Sequence, residues 1–154
     1  MIPKFRCFDK DAKTMHEVVS IDFRDWRVYY EAYGLRNYWN KNVVLMQSTG
    51  LHDNTEFEDL SEEEQEEWLE SGKSADEWQG REIFEGDIVN KNTTFRNPMT
   101  GSGTLTLNKN FEVVFINGMF TRDGTSMGLS KDLKHLTVVG DVYKNPELLE
   151  DVWS

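Results

Sequence analysis

GREIFEGDIV, residues 80–89, is a strand–turn–strand signature. Ile83 and Phe84 precede a tight Gly86-Asp87 turn, and Ile88-Val89 open a strand beyond it. Downstream, Asn97-Pro98-Met99-Thr100-Gly101-Ser102-Gly103 reads as a loop and Phe111 to Ile116 as a strand. Asn117-Gly118, the strongest short hairpin signal, closes that strand, and Met119-Phe120 begins the return. Leu136 to Tyr143 is a further strand, in which Gly140 marks a bulge or a close backbone approach. Several short strands separated by turns favour a small barrel or roll.

Immediately upstream the period changes. EDLSEEEQEEWLESGKSADEW, residues 58–78, predicts a helix: Ser61 with Glu64 forms a capping box, and Gly72 is placed to end it. On a wheel of about 100° per residue, Glu62, Glu63, Glu66, Glu67 and Glu70 share one broad arc. Trp68 and Leu69 point the other way with Gln65 between them, so both should be more buried than the five glutamates. Ser74 with Glu77 is placed to cap one more short turn ending at Trp78. The N-terminal third reads as strands again. Phe5 and Phe8 flank Cys7, and residues 9–13 are polar enough to turn. Val19, Ile21 and Phe23 alternate, as do Trp26, Val28 and Tyr30, which predicts an antiparallel hairpin with each trio on one face. The run Val43-Val44-Leu45-Met46 leads to Ser48-Thr49-Gly50, a turn signal.

The charge is unevenly placed. The 154-residue chain has a net charge of −11. Glu56 to Trp78 holds eleven acids and one lysine, a net −10, which leaves the remainder at −1. Such a chain is repelled by nucleic-acid phosphates, so direct binding to DNA or RNA is disfavoured. No run of 18 apolar residues is present to span a membrane, and the first residues lack a signal peptide's apolar run. Cys7 is the single cysteine, which fits a reducing cytoplasm.

Four blocks in order, KFRCFDKDAKTMHEVVSIDF, LMQSTGLHDN, GREIFEGDIV and VVGDVYKNPELLE, resemble the YopX family of bacteriophage and prophage proteins. The resemblance implies a β-rich N-terminal part, a C-terminal barrel similar to SH3-type barrels, and a phage or prophage gene expressed in a bacterial cytoplasm. It implies no reaction and no catalytic residue. In the family pattern the turn after TGL-D can run almost directly into G-EI-EGDIV. Here roughly two dozen residues intervene, read as an insertion at a surface turn, where added length costs little closure entropy.

The chemistry-bearing residues give little. His16, His52 and His135 are isolated, without paired-ligand spacing, so neither a metal nor a cofactor is expected. Cys7 in an aromatic strand reads as a buried, inert thiol. Gly101-Ser102-Gly103 lacks the Gly-Lys-Ser/Thr of a phosphate loop. Glu85 and Asp87 could form a carboxylate pair, but the Gly-Asp turn accounts for Asp87. A calcium loop from Asp53 fails, since its fifth position is Phe57. The six glutamates within residues 62–70 stand at about one charge per 2 Å of helix, near the one per about 1.7 Å of duplex DNA.

The expectation is therefore a mostly β protein with minor α content. It comprises an N-terminal β-hairpin lobe (1–55), an acidic helical insertion (56–79) and an SH3-like barrel lobe (80–154). It would be a cytoplasmic, non-catalytic interaction module with a protein partner; Glu63, Glu66, Glu67 and Glu70 are the candidate contact residues if the helix takes part, and a solvated face if the module works through its barrel. The alternative is an acidic, DNA-mimicking inhibitor of a host nucleic-acid-binding protein. Small lobes with exposed strand edges also invite homo-oligomerisation.

Overall fold

The computed structural model describes residues 4–30, 36–38, 43–116, 118–122, 129 and 133–150. The described residues form ten strands and one α-helix in two antiparallel sheets. The first sheet has the order β4-β3-β2-β1-β5-β6. Its strands are β1 (Phe5–Asp9), β2 (Thr14–Asp22), β3 (Arg27–Tyr30), β4 (Arg36–Tyr38), β5 (Val43–His52) and β6 (Glu82–Phe84). The second sheet, β10-β7-β8-β9, contains β7 (Asp87–Arg96), β8 (Thr104–Ile116), β9 (Met119–Arg122) and β10 (Leu136–Asp141). Helix α1 (Glu62–Glu70) lies between β5 and β6 in the chain.

Each sheet owns a core. Cys7, Val28, Tyr30 and Val43 are buried together in the first, with Val18, Ile21 and Leu45 against them. Ile83, Val89, Val113, Leu129 and Leu136 fill the second. Full burial of one such aliphatic side chain stabilises by about 1.5–3 kcal/mol. Leu51 of β5 and Ile83 of β6, strands of the first sheet, also pack in this second core, an arrangement consistent with the small barrel that the resemblance implies. Residues 80–154 thus do not pair only among themselves, because β6 hydrogen-bonds to β5.

The chain crosses between sheets at Gly86. Its N–H donates to the Val113 carbonyl and its carbonyl accepts from Val142 N–H, both at 2.9 Å. The same turn anchors Asp87, whose Oδ2 accepts from Phe84 N–H at 2.8 Å while Oδ1 pairs with the Arg6 guanidinium of β1. Phe8 stacks on Tyr143 with ring centroids 5.3 Å apart, tying the two sheets a second time.

Three sequence expectations need correction. Val19 and Phe23 are exposed and do not share a buried face with Ile21. A β-bulge between Val18 and Ser20 shifts the register against β3, so Val18 takes the inward place and Val19 is turned to solvent. Trp26 is exposed as well; it sits in the turn before β3, in the left-handed region at φ +58°, off the alternation that buries Val28 and Tyr30. Ser48-Thr49-Gly50 does not reverse the chain. Strand β5 continues through it to His52, and the register against β6 shifts between Ser48 and His52 with Gly50 at φ +74°.

The second sheet follows the sequence more closely. The last strand has its irregularity between Val138 and Gly140, where a Cβ on Gly140 would lie 2.5 Å from Asn145 Oδ1. That strand ends at Asp141, whose carboxylate accepts from Tyr143 and Lys144 N–H in a turn. Asn117 lies outside the described residues, but Ile116 and Met119 face each other across the two-residue connection. Strand β8 starts at Thr104, well before the expected Phe111, and pairs with β7 out to Arg96.

Candidate functional site

Helix α1 begins with the serine half of the expected capping box. Ser61 Oγ accepts from Glu64 N–H at 3.2 Å and donates to Glu64 Oε1. Glu62, Glu63 and Glu64 occupy the first turn, where the positive end of the helix dipole favours them. Gly72 ends the helix at φ +89° and donates to the Leu69 carbonyl. The short turn expected at Ser74 is a 3-10 helix, Ala75–Glu77, held by the backbone bond from Glu77 N–H to Ser74 C=O.

The helix docks through Glu64, Gln65 and Trp68. Glu64 Oε1 accepts from Arg81 Nη2 at 3.0 Å. Gln65 Nε2 donates to the carbonyls of Phe57 and Leu60. Trp68 meets Trp78 edge to face, centroids 5.0 Å apart, and Trp78 Nε1 donates to Thr55 C=O at 2.8 Å. Leu69 is 51% exposed, contrary to expectation. The half-buried arc is centred between Glu64 and Gln65, and a residue about 100° beyond Trp68 lies past its rim. Glu62, Glu63, Glu66, Glu67 and Glu70 are exposed as anticipated, and among the described residues no ion pair engages them.

Both ends of the inserted segment meet at one buried carboxylate. Asp53 Oδ1 accepts from Arg81 N–H at 2.7 Å and Thr55 N–H at 2.9 Å. Its Oδ2 accepts from Val138 N–H at 2.7 Å and from Thr55 Oγ1 at 2.8 Å. Asp53 N–H in turn donates to Arg81 C=O. Gly80, at φ +111°, is required here: a Cβ would lie 2.1 Å from the Asp53 carbonyl oxygen. Asp53, already excluded as the start of a calcium loop by Phe57, is a backbone clamp.

A cleft of about 510 Å³ opens beside the helix, lined by Lys4, His52, Trp68, Lys73, Trp78 and Glu82. Lys73 Nζ stands 4.4 Å from the Trp68 ring centroid, a cation–π contact. Lys4 Nζ is 3.3 Å from Glu82 Oε1, while Glu82 Oε2 is buried without a hydrogen-bond partner. The sequence signal for this cleft was Trp68 and Trp78 at either end of a segment containing Lys73; periodicity alone did not bring them together.

Elsewhere, titratable groups serve the fold. Burial and then the charge of Asp9 push the Cys7 thiol from 9.0 up to about 12. Burial alone would raise Asp9, but hydrogen bonds from Ala12 and Asp11 N–H and from Tyr30 O–H outweigh it and hold its carboxyl below the usual range. Glu85 Oε1 lies 3.4 Å from Gln47 N–H while Asp87 is committed to Arg6, so the two are drawn to different partners. His16 stacks on Tyr30 and bonds Thr14 Oγ1. Among the described residues, no cluster of three His, Cys, Asp or Glu side chains is placed to hold a metal ion. No helix among them is long and apolar enough to cross a membrane.

The Cys7 environment has a direct consequence. At pH 8 an aromatic disulfide reagent should react with it about 1,000-fold more slowly than with the urea-unfolded chain, given the scarcity of thiolate. A rate within tenfold of the unfolded chain would contradict the buried placement.

A family model described as YopX protein matches residues 71–150. Two solved structures are similar over nearly their whole length. Protein EF1440 from Enterococcus faecalis is 24% identical with a TM-score of 0.59, covering 97% of this chain and 99% of that one. Protein yopX from Bacillus subtilis is 20% identical with a TM-score of 0.50, covering 96% and 98%. These are likenesses of fold. No curated protein matches the chain.

Proposed function

The chain belongs to the YopX protein family, and from that premise we propose that it is a phage- or prophage-encoded accessory protein acting in the bacterial cytoplasm as a non-catalytic interaction module. Its recognition surface is the carboxylate face of α1, with Glu63, Glu66, Glu67 and Glu70 as contact residues. One observation carries the reading. The helix is capped by Ser61 and fixed by Arg81 and Trp78, so the backbone positions from which five exposed glutamates project are set before any partner arrives. Such preorganisation lowers the ordering cost of association.

The dimensions favour a compact basic protein patch over full mimicry of DNA. Nine helical residues span only about 13 Å, roughly four base-pair steps, and present one row of charge where a duplex has two. An inhibitor that fills a long nucleic-acid groove would need more surface than this helix supplies.

The test is affinity capture from nuclease-treated host lysate with the full chain and with an E63Q/E66Q/E67Q/E70Q variant. The variant should retain a tenth or less of the wild-type partner. Raising the salt from about 0.1 M to about 1 M, which shortens the screening length from about 10 Å to about 3 Å, should release the wild-type complex. Equal capture by both proteins at both salt concentrations would remove the helix from the recognition surface.

A further inference from the structure

Strands β7 and β8 outrun the core that they help to build. At their root Val89 faces Phe111 and both pack in the second core. Side chains alternate along a strand, so the same face continues outward as Lys91 with Lys109, Thr93 with Leu107, and Phe95 with Leu105. The other face is a polar ladder, with Asn90 bonded to Asn108 and Asn110 and with Thr94 bonded to Thr106. One apolar face and one polar face is the pattern of a ribbon covered on one side. Yet Phe95 is 45% exposed, Leu105 and Leu107 are exposed, and Met99 at the tip is 89% exposed. A bare two-stranded ribbon is marginal in water.

Its charge says what covers it. Residues 90–110 contain Lys91, Arg96 and Lys109 and no acid, +3 in a chain of −11. Two ribbons laid together would set like charges against each other, which disfavours a ribbon-to-ribbon dimer. The complementary surface is on the same polypeptide: the −10 segment, where Leu69 provides an exposed apolar spot beside the glutamates of α1. Within one chain the ribbon remains exposed, so the contact is between copies.

We propose that the apolar face of the β7–β8 ribbon docks on the acidic insertion of a second copy of this chain. Phe95 and Leu105 cover the surface around Leu69, and Lys109, on the same face of the ribbon, meets the carboxylates of α1. The inference deepens the reading above, since it names one basic surface that α1 receives. Because the two surfaces differ, the contact is heterologous unless two copies exchange it reciprocally: a repeated one-way contact closes into a ring or grows into a filament, and a mutual exchange gives a two-fold dimer.

Sedimentation velocity of the full chain across a concentration and salt series tests this. The wild type should assemble at low salt and dissociate as salt rises. K109E and, separately, E66K/E67K/E70K should each raise the dissociation constant tenfold or more, and an equimolar mixture of the two should assemble again. F95S/L105S should weaken assembly without changing the charge. All these positions are exposed, so circular dichroism spectra and urea midpoints should stay near wild type. A chain monomeric throughout, or assembly indifferent to both reversals, or a mixture that stays monomeric, would overturn the proposal. If self-assembly is absent while α1 still captures a lysate protein, this inference fails and the interaction-module reading stands. If neither depends on α1, both fail.

Discussion

Replacing Asp53 by alanine should lower stability by about 3–5 kcal/mol, large for one residue in a chain of this size. Three backbone N–H groups, from Thr55, Arg81 and Val138, now donate to its carboxylate, which is buried with them. Alanine leaves these donors without an acceptor, at about 1–3 kcal/mol for each that stays buried, less what relaxation and water recover. Asparagine keeps one acceptor oxygen but turns an amide N–H₂ toward the remaining donors, and should cost about half as much. Urea unfolding of the three proteins measures this. Two outcomes would refute the clamp: an alanine variant within about 1 kcal/mol of wild type, or an asparagine variant less stable than the alanine one.

Replacing Arg6 by methionine should cost a similar about 3–5 kcal/mol at neutral pH, because it strands a charge. The Asp87 side chain is 2% exposed and Arg6 is its ion-pair partner. Breaking one side of a buried pair is far costlier than replacing both. The pH dependence has a definite sign. Burial raises the Asp87 carboxyl above its ordinary 3.8, and the Arg6 charge is the main influence pulling it back. A carboxyl raised in the folded state favours folding below the unfolded value, and that benefit is lost as pH rises through the folded value. Without Arg6 the rise is larger. The deficit of R6M should therefore be greatest at neutral pH and shrink as pH falls through the raised Asp87 value. R6M/D87N should recover much of the loss at neutral pH, since asparagine can still accept from Phe84 N–H. A deficit independent of pH would assign it instead to the lost packing of Arg6 on the Phe84 ring, 4.6 Å away.

These two networks mark where sequence reading ended. The cap at Ser61–Glu64, the stop at Gly72 and the irregularity at Gly140 were legible because each depends on residues within a few positions. Asp53 finds its partners at Arg81 and Val138, and Arg6 finds Asp87, across 28, 85 and 81 residues. No local pattern encodes such pairings. Alternation put Val19 inside with Ile21, but the bulge lets Val18 and Ile21 both face the core and leaves Val19 outside. At the candidate site, the wheel placed the exposed glutamates but misplaced Leu69, because Arg81 draws Glu64 inward and turns the packed face. The outer ribbon did carry a signal, Leu105 and Leu107 alternating with threonines, in the stretch left unassigned between the loop at 97–103 and the strand expected from Phe111.

The clamp at Asp53 has a meaning for engineering. It brings the departing and returning chain together, Asp53 N–H on Arg81 C=O, before either has entered the acidic segment. Between these points the scaffold asks only that a segment start and finish in the same place. Residues 56–79 thus form a socket. A reporter domain with neighbouring termini could occupy it, or new chain ends could be opened there in a circular permutant, while the Asp53 and Gly80 contacts hold the sheets as before.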